Sequence, residues 1–85
     1  MILLYSREAK ERIKSLPPEI KRGIKESLEN LQSNPYQGKA LQKELSGFYS
    51  LRFQKYRIIY EILSPQKIYI RTLGHRKNVY EDLVF

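Results

Sequence analysis

The chain has 85 residues and a formal net charge of +7. This length predicts one domain over residues 1–85, near the lower limit for folding without covalent or metal cross-links. The chain has no cysteine and one histidine, His75, which excludes disulfides and thiolate metal sites and argues against a zinc site. It contains no signal-peptide pattern and no apolar run of the roughly 20 residues that a membrane span needs, so we expect a cytoplasmic protein.

The N-terminal half predicts a short strand and two amphipathic helices. Residues 2–5 are typical of a strand, and Ser6 is a favourable N-cap for a helix over residues 7–16. A Pro-Pro pair ends this helix and begins a second over residues 18–33. Apolar side chains recur at helical spacing in both helices: Ala9, Ile13 and Leu16 in the first, and Ile20, Ile24, Leu28 and Leu31 in the second.

Gly23 lies inside the second predicted helix, where glycine costs about 1 kcal/mol relative to alanine. Ser27 follows one turn later, so the two form a pair of small residues on one helix face. We interpret this pair as a surface that lets the first helix approach closely.

The C-terminal half predicts three strands. Residues 34–46 indicate a loop with one helical turn around 41–45, and Gln54-Lys55 is short enough for a two-residue hairpin turn. Alternation assigns one face of each strand to the core. In the first strand this face carries Tyr49, Leu51 and Phe53, in the second Tyr56, Ile58, Tyr60 and Ile62, and in the third Ile68, Ile70 and Thr72. The opposite face of the third strand carries Tyr69, Arg71 and Leu73. The expected fold is α+β, with two N-terminal helices packed on a small antiparallel sheet of about four strands.

The basic charge is concentrated in this second half. Residues 39–77 contain nine Lys or Arg but only Glu44 and Glu61 as acids. We expect one sheet face to build the core and the other to present four arginines: Arg52, Arg57, Arg71 and Arg76. Clustered cations among tyrosines favour a nucleic acid or nucleoprotein partner. An acidic protein partner, or a basic surface that serves only solubility, remains the alternative.

Three motifs carry a resemblance to a known family. They are Leu-Ser-Gly at residues 45–47, Tyr-Arg-Ile-Ile-Tyr at residues 56–60 and Gly-His-Arg-Lys-Asn-Val-Tyr at residues 74–80. With the two-helix N-terminal half, they resemble the RelE/ParE superfamily of bacterial and archaeal toxins over essentially the whole chain. The ending is more similar to the RelE branch. The resemblance implies a RelE-like, microbial RNase-type fold.

The resemblance also implies a function. RelE-like toxins of type II toxin–antitoxin systems are ribosome-dependent endoribonucleases that cleave mRNA in the A site without a metal or cofactor, and so inhibit translation under stress. A ParE-like toxin that inhibits DNA gyrase without nuclease activity is the first alternative. A degenerate member that only binds its antitoxin is the second.

The resemblance assigns the catalytic candidates. It implies that Arg57 binds phosphate, that Arg76 and Tyr80 are the late active-site pair, and that Arg52 occupies a basic position. Ser50 departs from the pattern, since many active members carry Lys or Arg there. A guanidinium matches two phosphate oxygens, which suits Arg57 and Arg76 to holding the scissile phosphate.

Each candidate has a structural alternative. Arg57 could pair with Glu61, Tyr80 could pack the C-terminal segment onto the core, and Arg52 could be plain surface charge. Histidine is the residue type whose unperturbed pKa lies near neutrality, but in an extended segment His75 would point away from Arg76, which favours structure or ribosome contact.

The remaining expectations concern partners. Candidate RNA- or ribosome-contacting residues are Arg71, His75, Lys55, Lys77 and Lys43. The expected partners are the ribosome, mRNA and a cognate antitoxin whose acidic or amphipathic segment covers the basic face and contacts the helices. We expect no membrane association and a monomer when the chain is free, because the basic face should repel a second copy.

Overall fold

The computed structural model describes residues 2–77 and 79. In chain order the elements are β1 (Ile2–Tyr5), α1 (Arg7–Ser15), α2 (Pro18–Ser33), β2 (Lys39–Ala40), a 3₁₀ turn (Lys43–Leu45), β3 (Phe48–Phe53), β4 (Tyr56–Ser64) and β5 (Lys67–His75). The strands form one sheet in the order β1-β5-β4-β3-β2, in which β1 is parallel to β5 and the other pairs are antiparallel. The predicted α+β class is confirmed. No described helix is long and apolar enough to cross a membrane.

The sheet has five strands instead of the predicted four or so. The additional strand, β2, lies within the predicted loop, where Lys39 and Ala40 pair with Ser50 and Tyr49. Two residues are too few to show an alternating pattern, so no periodicity marks this strand in the sequence. The helical turn predicted around residues 41–45 is confirmed as the 3₁₀ turn.

Both helices begin where the sequence predicts. Ser6 is the N-cap of α1, and its Oγ accepts a hydrogen bond from the N–H of Ala9 at 3.0 Å. The helix ends at Ser15, one residue earlier than predicted, and Leu16 is extended with ψ of 147°. The cause is Pro17, because a residue that precedes proline is disfavoured in the helical conformation.

The main core lies between the helices and the sheet. Its fully or nearly fully buried members are Ala9, Ile24, Leu28 and Leu31 from the helices and Ile58, Tyr60, Ile68, Ile70 and Leu73 from the strands. Ile13, Leu16 and Ile20 pack against them. Both helical stripes predicted from the sequence therefore face the sheet.

The opposite face of the sheet carries a second, smaller cluster. Ile59 and Val79 are fully buried there, and Leu41, Leu45 and Phe48 pack against them. The prediction of one core face and one cationic face is therefore too simple. The central strand β4 buries side chains on both faces, and the turn before β3 crosses the second face.

The alternation predicted for the third strand is wrong beyond Ile70. Tyr60 pairs with Ile70, but the preceding residue Ile59 pairs with Thr72, so Arg71 is an extra residue at a β-bulge. A bulge shifts the alternation by one residue. Leu73 consequently lies in the main core, whereas Thr72 lies opposite Ile59.

The first turns of α1 complete the outer edge of β5. β1 pairs with β5 only as far as Ile70, so the later carbonyls of β5 need other donors. Ser6 supplies two donors. Its N–H donates to the carbonyl of Ile70, and its hydroxyl donates to the carbonyl of Arg71. Arg12 Nη1 supplies a third, to the carbonyl of Leu73 at 3.1 Å. The helix thus replaces a missing strand, which stabilises the end of β5.

We predict that Arg12→Met lowers the free energy of unfolding by about 1–2 kcal/mol, because the carbonyl of Leu73 loses a charged donor. Urea unfolding measures this loss. Arg7→Met is the matched control, since Arg7 pairs with Glu11 only across exposed surface and should change stability by less than about 0.5 kcal/mol. Equal losses in the two variants would contradict this role for Arg12.

Gly23 packs against the sheet, whereas the sequence predicted that it would face the first helix. A Cβ built on Gly23 would overlap the aromatic ring of Phe53 in β3. The ring is half-buried and packs against the main core. The glycine therefore provides room for Phe53, and the identity of the neighbour was not evident from the helix sequence.

We predict that Gly23→Ala lowers the melting temperature, because displacing the Phe53 ring outweighs a gain in helix propensity of about 1 kcal/mol. In a Phe53→Ala background the same substitution should raise the melting temperature, since the obstacle is gone. Thermal denaturation of the four variants in this cycle provides the measurement. A rise in the wild-type background would disprove the packing role.

Candidate functional site

Arg52 and Arg57 are direct partners in the pairing of β3 with β4. Such partners place their Cβ atoms about 5 Å apart on one face, so two guanidinium groups share a small area. Within residues 2–77 and 79, neither arginine forms an ion pair with an acid. Like charges directly opposite each other destabilise a sheet. This arrangement favours an anion-binding role for the pair.

The structural alternative for Arg57 is an ion pair with Glu61. No ion pair joins Arg57 to Glu61 in the described part of the chain. On that face of β4 the fully buried Ile59 lies between them. Arg52 Nε instead donates to the carbonyl of Gln54 at 3.1 Å, so its guanidinium is held at the hairpin turn.

The end of β5 meets this turn. The turn consists of Gln54 and Lys55, as predicted, and Gln54 adopts a positive φ of 52°. The N–H of Arg76 donates to the carbonyl of Lys55 at 2.8 Å. That bond brings the first residue after β5 to the hairpin that carries the arginine pair. We call this group the hairpin-end cluster; it consists of Arg52, Lys55, Arg57, His75, Arg76 and Lys77.

His75 has structural contacts within the cluster. It pairs with Tyr56, and the two rings meet edge to face with centroids 6.3 Å apart. Its Nδ1 accepts a hydrogen bond from the N–H of Lys77 at 3.3 Å. In the neutral imidazole this leaves the proton on Nε2. These contacts agree with a role for His75 in holding the turn after β5.

The strand pairing does not place two further predicted residues, Arg71 and Lys43, at the hairpin. Arg71 is at the bulge, three residues before Gly74, which is the partner of Arg57. The pairing register therefore establishes a shared face for Arg52 and Arg57 but not for Arg71. Lys43 is exposed in the 3₁₀ turn, whose neighbouring Leu41 and Leu45 pack over the second cluster.

Tyr80, the predicted partner of Arg76, lies outside the described residues. Val79 directly precedes it and is fully buried with Ile59. Ile59 and Arg57 share a face of β4 by strand alternation. Val79 therefore lies on the face that carries the arginine pair.

Ser50 and Thr72 flank Ile59 across the three central strands. Ser50 is 4% exposed and Thr72 is fully buried. The hydroxyl of neither has a hydrogen-bond partner among the described residues. Ser50 therefore presents a short, buried side chain where the resembling family often has a cation, so this position contributes no charge to the face that carries the arginine pair.

Tyr60 is a structural residue that sequence reasoning assigned only to the core. Its hydroxyl accepts from the N–H of Gly38 at 3.1 Å and donates to the carbonyl of Pro35 at 2.7 Å. A Cβ on Gly38 would overlap that hydroxyl, so glycine is required for the approach. These two hydrogen bonds hold the loop that leads to β2 against Tyr60. The Asn-Pro and glycine of this loop are the sequence signals for such a contact.

Burial raises the pKa of the Tyr60 phenol above its ordinary value of 10.0, although the hydrogen bond from Gly38 acts in the opposite direction. The folded state thus holds the phenolic proton more tightly than the unfolded state does. The resulting stability is fully present below pH 10 and is lost as pH rises through the raised folded value. Burial also raises the pKa of Tyr5.

We predict that Tyr60→Phe lowers the free energy of unfolding by about 1–2 kcal/mol at neutral pH, because two loop groups lose their partner. It should also reduce the decline of stability between about pH 9 and about pH 11. Urea unfolding across that range provides both values. Tyr36→Phe is the control, because Tyr36 is exposed. An unchanged alkaline decline in Tyr60→Phe would contradict this assignment.

Residues 2–77 and 79 contain no group of three or more His, Cys, Asp or Glu side chains that could hold a metal ion. The chemistry available at the hairpin-end cluster is therefore that of guanidinium, ammonium and imidazole groups. These groups bind phosphate, and their number suits a polyanion better than a single small anion.

Comparison with known proteins identifies the family. A family model described as "ParE toxin of type II toxin-antitoxin system, parDE" matches residues 3–80. The chain therefore belongs to the toxins of the RelE/ParE superfamily. A search of curated protein sequences found no match.

Solved structures share the fold and indicate the RelE-like branch. A chain of the RelBE2 toxin–antitoxin complex from Mycobacterium tuberculosis is 30% identical, with a TM-score of 0.78, over 87% of this chain and 95% of that one. The isolated RelE toxin of E. coli is 17% identical, with a TM-score of 0.74, over 96% and 93%. The YoeB-YefM complex from Staphylococcus aureus contains a chain that is 21% identical, with a TM-score of 0.74, over 89% and 97%. The last two matches establish fold alone.

Proposed function

We propose that this toxin is a ribosome-dependent, metal-independent endoribonuclease that cleaves mRNA in the ribosomal A site and so inhibits translation. The observation that carries the proposal is the arginine pair at positions 52 and 57, with Arg76 bonded to the same hairpin. Three arginines at one turn, without acidic partners in the described chain, suit a phosphodiester.

The reaction uses the nucleophile that RNA supplies. The 2′-oxygen forms a bond to the adjacent phosphorus, the bond from phosphorus to the 5′-oxygen breaks, and the products are a cyclic phosphate and a free 5′-hydroxyl. One proton leaves the 2′-hydroxyl and one reaches the departing 5′-oxygen. Arg57 and Arg76 stabilise the charge that gathers on the non-bridging oxygens, and Arg52 adds positive field.

Tyr80 is our proposed proton carrier or 2′-hydroxyl contact. A guanidinium group beside a phenol favours the phenolate, so Tyr80 would be a better base wherever it approaches an arginine. His75 is a weaker candidate for the proton steps because its Nδ1 already accepts from the backbone of Lys77. We assign His75 to positioning the segment that carries Arg76.

The other basic residues extend the contact. Lys55 and Lys77 belong to the hairpin-end cluster and, with Lys43 and Arg71, would contact mRNA or ribosomal RNA. Each phosphate neutralised in this way steepens the salt dependence of binding. We further propose that the chain acts in the cytoplasm, is monomeric when free, and is held inactive by a cognate antitoxin, as the complexes of its structural relatives suggest.

A second function follows from the family match. The matching family is described as ParE toxin, and a ParE-like chain would inhibit DNA gyrase without cutting RNA. Antitoxin binding alone is a third possibility, for which the buried, uncharged Ser50 leaves room. Loss of cleavage on removing the arginines separates the first function from both others.

We predict that wild-type protein cuts a defined mRNA in the A-site codon of purified ribosomes, as read by toeprinting. The Arg57→Ala, Arg76→Ala double variant should lose on the order of 10³-fold or more in rate, because each removed donor typically contributes 10²–10³-fold and such losses are not additive. Arg7→Ala, Arg22→Ala is the control, with the same loss of charge from exposed helix positions.

Two outcomes would count against the nuclease. Intact mRNA with wild-type protein, at levels that stop growth in cells, would favour the gyrase function, which a supercoiling assay then tests. Equal cleavage by the double variant and the control would place the active site away from the hairpin-end cluster.

A further inference from the structure

The short edge strand β2 places Lys39 on the sheet face that carries the arginine pair. Lys39 is the direct partner of Ser50 in β3, and Ser50 lies two residues before Arg52. Directly paired residues share a face of the sheet, and so do residues two apart along a strand. Leu41, two residues after Lys39, packs against Ile59 on this same face, which agrees with the placement. The face therefore carries cations at positions 39, 52 and 57.

The lysine is close enough to act together with the arginines. Diagonal neighbours on one face, such as Lys39 and Arg52, lie about 7–8 Å apart, within reach of long side chains. Ser50 lies between them with a short, buried side chain, whose hydroxyl has no hydrogen-bond partner among the described residues. The flexible four-carbon stem of a lysine extended across Ser50 would bring its ammonium group to the arginine pair.

The charge of Lys39 is available to a ligand. The residue is exposed and forms no ion pair with any described residue. A third cation beside two guanidinium groups adds repulsion, which a bound polyanion would relieve.

A lysine on an edge strand has a structural alternative, because such lysines prevent the edge from pairing with another chain. β2 has only two residues, and a very short edge strand already offers few unpaired backbone groups. Protection of the edge therefore gives little reason for a cation at this position, and the neighbouring arginines give a better one.

We propose that Lys39 binds the RNA phosphate next to the one held by the arginine pair, and so supplies the cation that this face lacks at position 50. The inference rests on the proposed RNA-cleaving function for the identity of the ligand. An ammonium group is a point charge without the planar fork of a guanidinium, so it suits a phosphate that is held and not oriented for reaction. Lys39 is thus an RNA-binding residue, and no step of the cleavage passes through it.

The test measures binding of the full-length chain to a short single-stranded RNA with 2′-O-methyl riboses, which lacks the hydroxyl needed for cleavage. Lys39→Ser removes the ammonium group. The exchange Lys39→Ser, Ser50→Lys returns it from the neighbouring strand on the same face, with the composition unchanged. Lys67→Ser is the matched control, because Lys67 is also an exposed strand lysine but lies at the end of β5 away from the hairpin.

Circular dichroism verifies that the variants fold. Lys39→Arg, which keeps the charge in place, takes over as the rescue variant if the exchange variant does not fold. Fluorescence anisotropy at several salt concentrations gives the dissociation constants and their salt dependence.

We expect Lys39→Ser to bind the RNA about three- to tenfold more weakly at about 100 mM salt, and to reduce the slope of log K against log salt by about 0.7, the value for one phosphate on a single strand. The control should stay within about twofold of wild type with an unchanged slope, and the rescue variant should return to within about threefold.

Equal losses in Lys39→Ser and Lys67→Ser overturn the proposal, even if toeprinting shows cleavage by wild type. Failure of a folded rescue variant to recover binding overturns it too, as does absence of RNA binding by wild type. Selective loss of binding in Lys39→Ser, without any mRNA cleavage by wild type on ribosomes, supports the phosphate contact at Lys39 while rejecting the nuclease.

Discussion

The burial of β4 on both faces is the constraint on which the rest of the molecule depends. Ile58, Ile59 and Tyr60 are consecutive and all fully buried. Ile58 and Tyr60 join the core beneath the helices, and Ile59 begins the second cluster on the other side. A strand covered on both faces is fixed in register and position, since any slip would expose one apolar set.

This one strand connects the scaffold to the site. The hydroxyl of Tyr60 holds the loop before β2, and the turn that follows the loop packs through Leu41 and Leu45 on Ile59. Val79 packs on the same residue, three positions after Arg76. The segment that carries Arg76 is thus fixed at one end by the core and at the other by its bond to Lys55. That geometry holds three arginines near one turn against their mutual repulsion.

Much of the fold could be predicted because its patterns are local. Helical stripes, the Ser6 cap, the proline stop and the alternation of β3 and β4 all follow from neighbouring residues. The bulge at Arg71 could not, because it depends on how β5 is paired and not on its own sequence. The two-residue strand β2 and the contact of Gly23 with Phe53 are equally non-local. For the site, the opposition of Arg52 and Arg57 followed from the hairpin turn, whereas the position of Arg71 at a bulge did not.

The net charge of each half of the sequence did not reveal a second cationic surface, which lies between α1 and α2. The helical half has a small net charge, yet five of its cations line one groove between α1 and α2, whereas most of its glutamates lie elsewhere on the same helices. The two cationic surfaces differ in the groups that lie beside the cations. Near the arginine pair the cations surround a backbone turn and a buried strand. Around the groove they border apolar side chains at the edge of the main core. Electrostatic attraction alone would not distinguish the two cationic surfaces, so the groups between the charges decide which kind of partner each surface can hold.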